Sequence, residues 1–112
     1  MNFLGLKGNI TKEIELRDID GKAAISFSIA VNAFKKGEKT VMFMNCSAFG
    51  KTAENIHKFF YKGDPIIVTG ALDFYYDKDK NTRYQMNVWQ FDFAGKNNQN
   101  SDKNIDTENI PF

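Results

Sequence analysis

The chain is short of the residues from which most active sites are built. Its 112 residues include one cysteine and one histidine, which excludes an internal disulfide and leaves too few ligands for a cysteine and histidine metal cluster. Cys46 lies on an apolar strand face, which favours a buried, inert thiol over a nucleophile. His57 falls on a predicted helix, and no glycine-rich phosphate loop occurs. The sequence therefore predicts no enzyme, no metal and no cofactor.

Long apolar runs and strong charge are also missing. No run approaches the roughly 18 residues needed to cross a bilayer, and the N-terminus lacks the pattern of a signal peptide. A single cysteine fits a reducing compartment, so we expect a cytoplasmic protein. The net charge of +1 gives no strong indication of a partner, and 42% hydrophobic residues allow one modest core.

The sequence is instead rich in aromatic residues, some of them at unusual positions. Residues 41–49 alternate with the period of two expected for a strand with one buried face. The apolar face, predicted to be core, comprises Met42, Met44, Cys46 and Ala48. The other face sets two rings beside an amide and a hydroxyl: Val41, Phe43, Asn45, Ser47 and Phe49. Rings on a polar face suggest a platform for stacking bases. Packing of Phe43 and Phe49 under a loop or against another subunit is the alternative.

Four further strands and one helix are predicted along the chain. Residues 3–16 alternate as one long strand, and residues 23–34 form a second that places Phe34 among small polar groups. Thr52 is expected to cap a helix that ends at Gly63. Residues 66–75 and 83–93 complete the set. Five strands with a short helix between the third and fourth give a mainly β fold, the OB-fold, a five-stranded Greek-key barrel.

The composition changes near residue 95. The segment that follows is rich in polar residues and cannot bury enough surface to offset its ordering entropy. We therefore expect a domain over residues 1–94 and a disordered tail over residues 95–112. The last three residues are apolar, which a disordered tail has no folding reason to carry: Ile110, Pro111 and Phe112.

Nearly the whole chain resembles the bacterial-type single-stranded DNA-binding proteins. The resemblance rests on the order and spacing of several segments: residues 8–12 (GNITK), 29–32 (IAVN), 43–46 (FMNC), 49–51 (FGK), 62–63 (KG) and 110–112 (IPF). It implies that Phe34, Phe43 and Phe49 stack on bases. A fourth ring on the hairpin after the fourth strand is Tyr75 or Tyr76, and Tyr75 is preferred. Trp89 is interpreted as core or subunit-interface packing, with stacking on DNA as the alternative.

The resemblance also implies a biological role. Such a protein binds single-stranded DNA without a sequence code during replication, recombination and repair, usually as a homo-oligomer, here a tetramer or dimer. Its C-terminal tip, residues 110–112, would recruit replication and recombination proteins. The short tail is typical of a phage-encoded member, which would place the protein in a bacterial cell or an infected host cell.

The expected mechanism needs no bond chemistry. Bases stack on the rings, while Lys35, Lys36 and Lys51 hold phosphates and make the affinity fall with added salt. Asn45 is placed to bond sugars or base edges. The competing hypothesis is an OB-fold adaptor of the primosome type that binds protein and has weak DNA affinity.

Overall fold

Alternating apolar residues assemble six strands into one sheet that closes on itself. The computed structural model describes residues 1–95. The elements are β1 (Leu4–Ile10), β2 (Glu15–Ile19), β3 (Lys22–Lys35), β4 (Glu38–Phe49), α1 (Gly50–Phe59), β5 (Pro65–Tyr76) and β6 (Thr82–Phe93). The strand order is β1-β5-β6-β4-β3-β2, and β1 also pairs with β3. This second pairing of β1 closes the barrel.

The first barrel strand is built from two pieces. Both β1 and β2 pair with β3, β1 through Ile10 opposite Ile29 and β2 from Glu15 opposite Ser26. The predicted single strand over residues 3–16 is therefore wrong, because the chain turns between the two pieces. There Thr11 donates both its N–H and its hydroxyl to the Ser28 carbonyl, at 2.9 and 3.1 Å. Counted as one, the two pieces leave the five strands of the predicted OB-fold, which is confirmed.

The seam between β4 and β6 is parallel, whereas every other strand pair is antiparallel. Cys46 lies opposite Met86 there, and Ser47 lies opposite Asn87. Cys46 is 2% exposed, as predicted, and its burial raises the pKa of the thiol to about 12. The interior is filled by apolar side chains from all sides of the barrel, among them Ile10, Ile25, Phe27, Ile29, Ala48, Ile66, Val68 and Val88.

Helix α1 covers one end of this core. Ala53 and Ile56 are buried, and the Phe60 ring stacks on Phe93 with 5.0 Å between centroids. The predicted Thr52 cap is wrong, because the helix begins at Gly50 and the Thr52 hydroxyl instead donates to the Trp89 carbonyl at 3.4 Å.

The predicted end of the helix is also wrong. Helix α1 ends at Phe59, and Phe60 is already extended. Gly63 lies in the turn that leads to β5, where its N–H donates to the Ile10 carbonyl at 2.7 Å. Its positive φ of 93° serves that turn. This glycine therefore ties the helix-to-strand connection to the end of β1.

Two hairpins run past the closed part of the barrel. The first joins β3 to β4 and is paired out to Lys35 opposite Glu38, and the second joins β5 to β6 and is paired out to Tyr76 opposite Thr82. Since Met42 lies on the projecting part of β4, it is 39% exposed. The predicted core face of that strand is thus correct for Cys46 and Ala48 and wrong for Met42.

A register shift in the second hairpin sets the direction of its aromatic side chains. Thr69 pairs with Gln90 and Gly70 with Val88, so Trp89 has no residue opposite it. This extra residue reverses the alternation beyond it, so the rings of Phe91 and Phe93 turn towards Phe60, whereas the Trp89 ring lies near Phe3. Over residues 1–95, no helix is long and apolar enough to span a membrane.

Candidate nucleic-acid interface

Three exposed rings share one face of the β3–β4 hairpin. Phe43 and Phe49 alternate with Asn45 and Ser47 along β4, and the unbroken register puts Phe34 of β3 on the same side. The three side chains are 70% (Phe34), 66% (Phe43) and 53% (Phe49) exposed. At about 3.3 Å per residue, Phe43 and Phe49 stand about 20 Å apart. Such spacing leaves room for bases between the rings.

These rings are not packed against another ring within residues 1–95. Their exposure removes the alternative that Phe43 and Phe49 pack under a loop of the described chain. Packing against a second subunit is still compatible with an exposed face. The geometry therefore supports an external partner for the row, either DNA or protein.

Tyr75 faces a cleft that also contains Asn45. The cleft has a volume of about 350 Å³ and is lined mainly by polar and charged side chains of five strands and the β1–β2 connection, including Lys12, Glu13, Glu15, Ser26, Ser28 and Gln85. Tyr75 is 46% exposed and lies opposite Arg83. Tyr76 does not line this cleft, and its ring contacts Phe74 edge to face at 5.8 Å. The structure thus gives the two hairpin tyrosines different surroundings, and only Tyr75, the one preferred from the sequence, lines this cleft.

A chain of hydrogen bonds crosses the sheet beside these rings. The Ser47 hydroxyl donates to Asn87 Oδ1 at 3.0 Å, and Asn87 Nδ2 donates to Asp73 Oδ2 at 3.2 Å. We call Ser47, Asn87 and Asp73 the polar relay. It joins β4, β6 and β5 across the parallel seam. Sequence reasoning missed the relay, because its members are 40 and 14 residues apart and the only signal is a polar residue at an outward position of each strand.

The predicted lysines lie near the ends of the ring row. Lys35 and Lys36 occupy the β3–β4 turn, where Lys36 and Gly37 have φ values of 52° and 80°, as a tight hairpin turn requires. Neither lysine forms an ion pair among the described residues. Lys51 follows Phe49 and lies 3.9 Å from Glu54 with its side chain 83% exposed. So weak a surface pair leaves the Lys51 ammonium group available to phosphate.

The tip of the second hairpin is organised by one carboxylate. Asp77 accepts hydrogen bonds from the backbone N–H groups of Asn81 and Asp79 and from Arg83 Nε, each at 2.9 Å. The Asn81 N–H and the Arg83 side chain hold the pKa of this carboxyl below its usual value. No group of three or more His, Cys, Asp or Glu side chains suited to a metal occurs in the described part of the chain.

Two other predictions have different outcomes. Trp89 is 52% exposed and stands 6.4 Å from the Phe3 ring, so the interpretation of Trp89 as core is wrong, whereas a subunit interface and stacking on DNA are both compatible with its position. The predicted partner-binding tip, Ile110, Pro111 and Phe112, lies outside the described residues, as does nearly all of the predicted tail.

Comparison with known proteins agrees with this geometry. The model of the single-strand binding protein family matches residues 1–94. Three bacterial relatives are each called single-stranded DNA-binding protein. That of Fusobacterium nucleatum is 44% identical over 64% of this chain and 51% of its own length. That of Clostridium perfringens is 39% identical over 88% and 69%, and that of Borreliella burgdorferi is 32% identical over 80% and 65%. The chain spans about half to two thirds of these relatives.

Proposed function

Because this chain belongs to the single-strand binding protein family, we propose that it binds single-stranded DNA without a sequence code and without catalysis. The observation that carries the proposal is the row of three exposed rings on one face of the barrel, Phe34, Phe43 and Phe49. The names of the curated relatives support the same ligand.

Stacking supplies the affinity in this proposal. A base stacked on an aromatic side chain contributes about 1 to 3 kcal/mol, and every base has a face that can stack. Tyr75 extends the row from β4 to the second hairpin across the cleft. Asn45, on the same strand face as Phe43 and Phe49, offers an amide to a sugar or a base edge. The row is long enough for several nucleotides rather than one.

The lysines hold the backbone of the strand. Lys35 and Lys36 at the first hairpin turn and Lys51 at the start of α1 would contact phosphates at the two ends of the row. Each neutralised phosphate lowers the slope of log affinity against log salt by about 0.7 for a single strand. Binding is therefore expected to weaken steeply as salt rises.

We also propose that the protein acts as a homo-oligomer, a dimer or tetramer. Residues Leu4 to Gly8 of β1 pair with β5 along one edge, but along the other edge β1 pairs only through Asn9 and Ile10. Within the described chain, the rest of that edge has no strand partner. Unpaired strand edges invite a second strand, and the exposed Phe3 and Trp89 rings stand nearby. Light scattering after gel filtration tests the assembly.

The remaining parts of the proposal concern the extent of the DNA-binding domain and the role of the protein in the cell. We propose that residues 1–94 form the DNA-binding domain, which is the span that the family model matches. The tip, Ile110 to Phe112, would recruit replication, recombination or repair proteins in the cytoplasm of a bacterial or phage-infected cell. Deleting the tip should leave the affinity for single strands unchanged or slightly raised, because an acidic segment no longer competes for the lysines. A clear drop in affinity would contradict this role.

The main experiment is fluorescence anisotropy with a labelled thymine oligonucleotide and the matching duplex at two salt concentrations. We expect tight, salt-sensitive binding of the single strand only. The Phe43→Ala, Phe49→Ala double variant should lose about 10- to 1,000-fold in affinity while keeping its melting temperature. A matched control is Phe74→Ala, which removes an exposed ring from outside the row. Equal binding of both DNA forms, or a double variant that binds like wild type, would favour the adaptor.

A further inference from the structure

The face that carries the rings also carries a carboxylate. Asp73 of β5 shares this face, because the polar relay connects it through Asn87 to Ser47, which lies between Asn45 and Phe49 on β4. Asp73 also lies two residues before Tyr75 on β5, so the two side chains point to the same side of the strand. A negative group at the centre of a surface for a polyanion weakens phosphate binding, so its position calls for a partner other than phosphate.

The carboxylate is held in one place and keeps free acceptor capacity. Asp73 Oδ2 accepts from Asn87 Nδ2 at 3.2 Å, and Asp73 Oδ1 accepts from the Phe74 N–H at 2.8 Å. Two oxygens of an ionised carboxylate can accept about four hydrogen bonds. No positively charged side chain among residues 1–95 forms an ion pair with Asp73. Asp73 can therefore accept further hydrogen bonds from a ligand.

The neighbouring cleft has the same character. It is lined by Glu13 and Glu15 against one cation, Lys12, together with neutral polar groups such as Asn45 and Gln85. The unpaired lysines of the first hairpin turn and Lys51 lie at the ends of the row instead. Carboxylates thus outnumber cations among the side chains that line the cleft, although Arg17 also reaches the middle of the face by donating to the Ser26 hydroxyl at 3.3 Å.

We propose that Asp73 is a specificity-determining residue that makes this face favour bases with an exocyclic amino group, cytosine over uracil and thymine. The inference rests on the proposed function and refines it. Cytosine presents an N4 amino donor where uracil presents the O4 acceptor. A base stacked beside Tyr75 with its edge over the relay would donate to Asp73 as cytosine, whereas the lone pairs of uracil O4 would face the carboxylate. The discrimination is modest beside the stacking that all bases share.

Asn87 and Ser47 act as positioning residues in this arrangement. Asn87 orients the carboxylate by donating to it, and Ser47 fixes which way the Asn87 amide points by donating to Oδ1. In the Asn87→Ala variant the carboxylate keeps its charge and loses its orientation. That variant should therefore retain the overall affinity and lose part of the preference for cytosine.

The test compares oligodeoxycytidine and oligodeoxyuridine of equal length, which carry the same number of phosphates, by anisotropy competition at neutral pH. Wild type should bind the cytosine strand about two- to tenfold more tightly, the size of about one net hydrogen bond. In Asp73→Asn the amide can present either its oxygen or its NH₂ group, so the ratio should fall towards one. The matched control, Asp92→Asn, removes the same charge from an exposed position of β6 and should leave the ratio as in wild type.

The outcomes separate this inference from the function on which it rests. Tight binding of both strands with the same ratio in wild type and Asp73→Asn would overturn the role of Asp73 and leave the proposed function intact. A ratio lost equally in Asp92→Asn would assign the effect to net charge and overturn it as well. Failure of wild type to bind either strand would overturn the proposed function and this inference with it.

Discussion

The two hairpins that project from the barrel carry exposed rings in different settings. The β3–β4 hairpin ends in a turn whose lysines, Lys35 and Lys36, form no ion pair within the described residues. The β5–β6 hairpin ends in a loop closed by Asp77, which accepts three hydrogen bonds, one of them from Arg83. The first tip leaves its lysines without ion pairs, whereas the second uses Asp77 and Arg83 to shape its loop and leaves Lys78 and Lys80 without ion pairs among residues 1–95. A cationic loop in a sequence therefore does not by itself indicate a phosphate site.

The hairpins also differ in how their rings are distributed. On β3–β4 the exposed phenylalanines all lie on the face of the polar relay. On β5–β6 Tyr75 points towards the cleft, whereas Phe74 and Tyr76 contact each other on the opposite side. The comparison predicts that loss of a ring has an effect set by its face and not by its exposure.

The largest effect is expected at the base of the second hairpin. A Cβ at Gly70 would lie 1.8 Å from the Asn87 carbonyl oxygen, a backbone atom that cannot move aside. We expect Gly70→Ala to destabilise the fold by about 3 kcal/mol or more, measured by urea denaturation. The control is Gly5→Ala on β1, where a Cβ meets nothing within 4 Å. Similar stability of the two variants would show that the hairpin is not locked to the barrel at this point.

The two hairpin tyrosines offer the next test. Tyr75→Ala should weaken single-strand binding by about five- to a hundredfold, the value of one stacked base. Tyr76→Ala removes a more exposed ring from the other side and should change the affinity less than twofold. Both are measured by anisotropy at one salt concentration. The reverse order would place the DNA on the Phe74 and Tyr76 side and refute the assignment of the interface.

The lysines of the two tips can be compared through salt dependence. The Lys35→Ala, Lys36→Ala double variant should reduce the steepness of the fall of log affinity with log salt by about 1.4, the value of two phosphate contacts. The matched Lys78→Ala, Lys80→Ala variant should reduce it by less, because Asp79 lies between those lysines. Equal reductions would mean that both tips hold phosphate alike.

The smallest effect is expected from acid at the second tip. Hydrogen bonds lower the pKa of Asp77 below its usual 3.8 in the folded chain. The order that these bonds give the loop is therefore complete above pH 3.8. It is lost as the pH falls through the lowered pKa. Amide chemical shifts of Asp79 and Asn81 between pH 5 and 2 should report this transition, and Asp77→Asn should abolish it. Amide shifts in wild type that do not move over this range would contradict the role of Asp77.

Alternation was enough to predict the barrel strands and the ring face, because a period of two assigns each residue of a strand to one side. It worked for Phe43, Phe49 and Cys46. It failed at residues 11–14, where the Thr11 bonds to Ser28 break the strand, and beyond Trp89, where one extra residue reverses the sides of Phe91 and Phe93. Local sequence does not show a bulge at which Gly70 lies close to the backbone of Asn87 on the neighbouring strand.

The candidate site could also be predicted only in part, because some of its contacts join strands that are far apart in the sequence. Single rings and lysines could be assigned from their own strands, including Phe34, Phe43, Phe49, Lys35, Lys36 and Lys51. The choice between Tyr75 and Tyr76 needed the position of the cleft and the contact between Phe74 and Tyr76. The polar relay needed the parallel seam, since nothing near Ser47 in the sequence indicates Asn87 as its partner.

The parallel seam also has a consequence for how the protein folds. Each hairpin brings together residues close in sequence, whereas Ser47 and Asn87 are 40 residues apart. Contacts between distant residues form slowly, because the loop must be closed before any contact rewards it. We expect both hairpins to form early and the β4–β6 seam to join late. A nascent chain would then display its rings before its polar relay exists, so the face that carries both is completed only in the last step of folding.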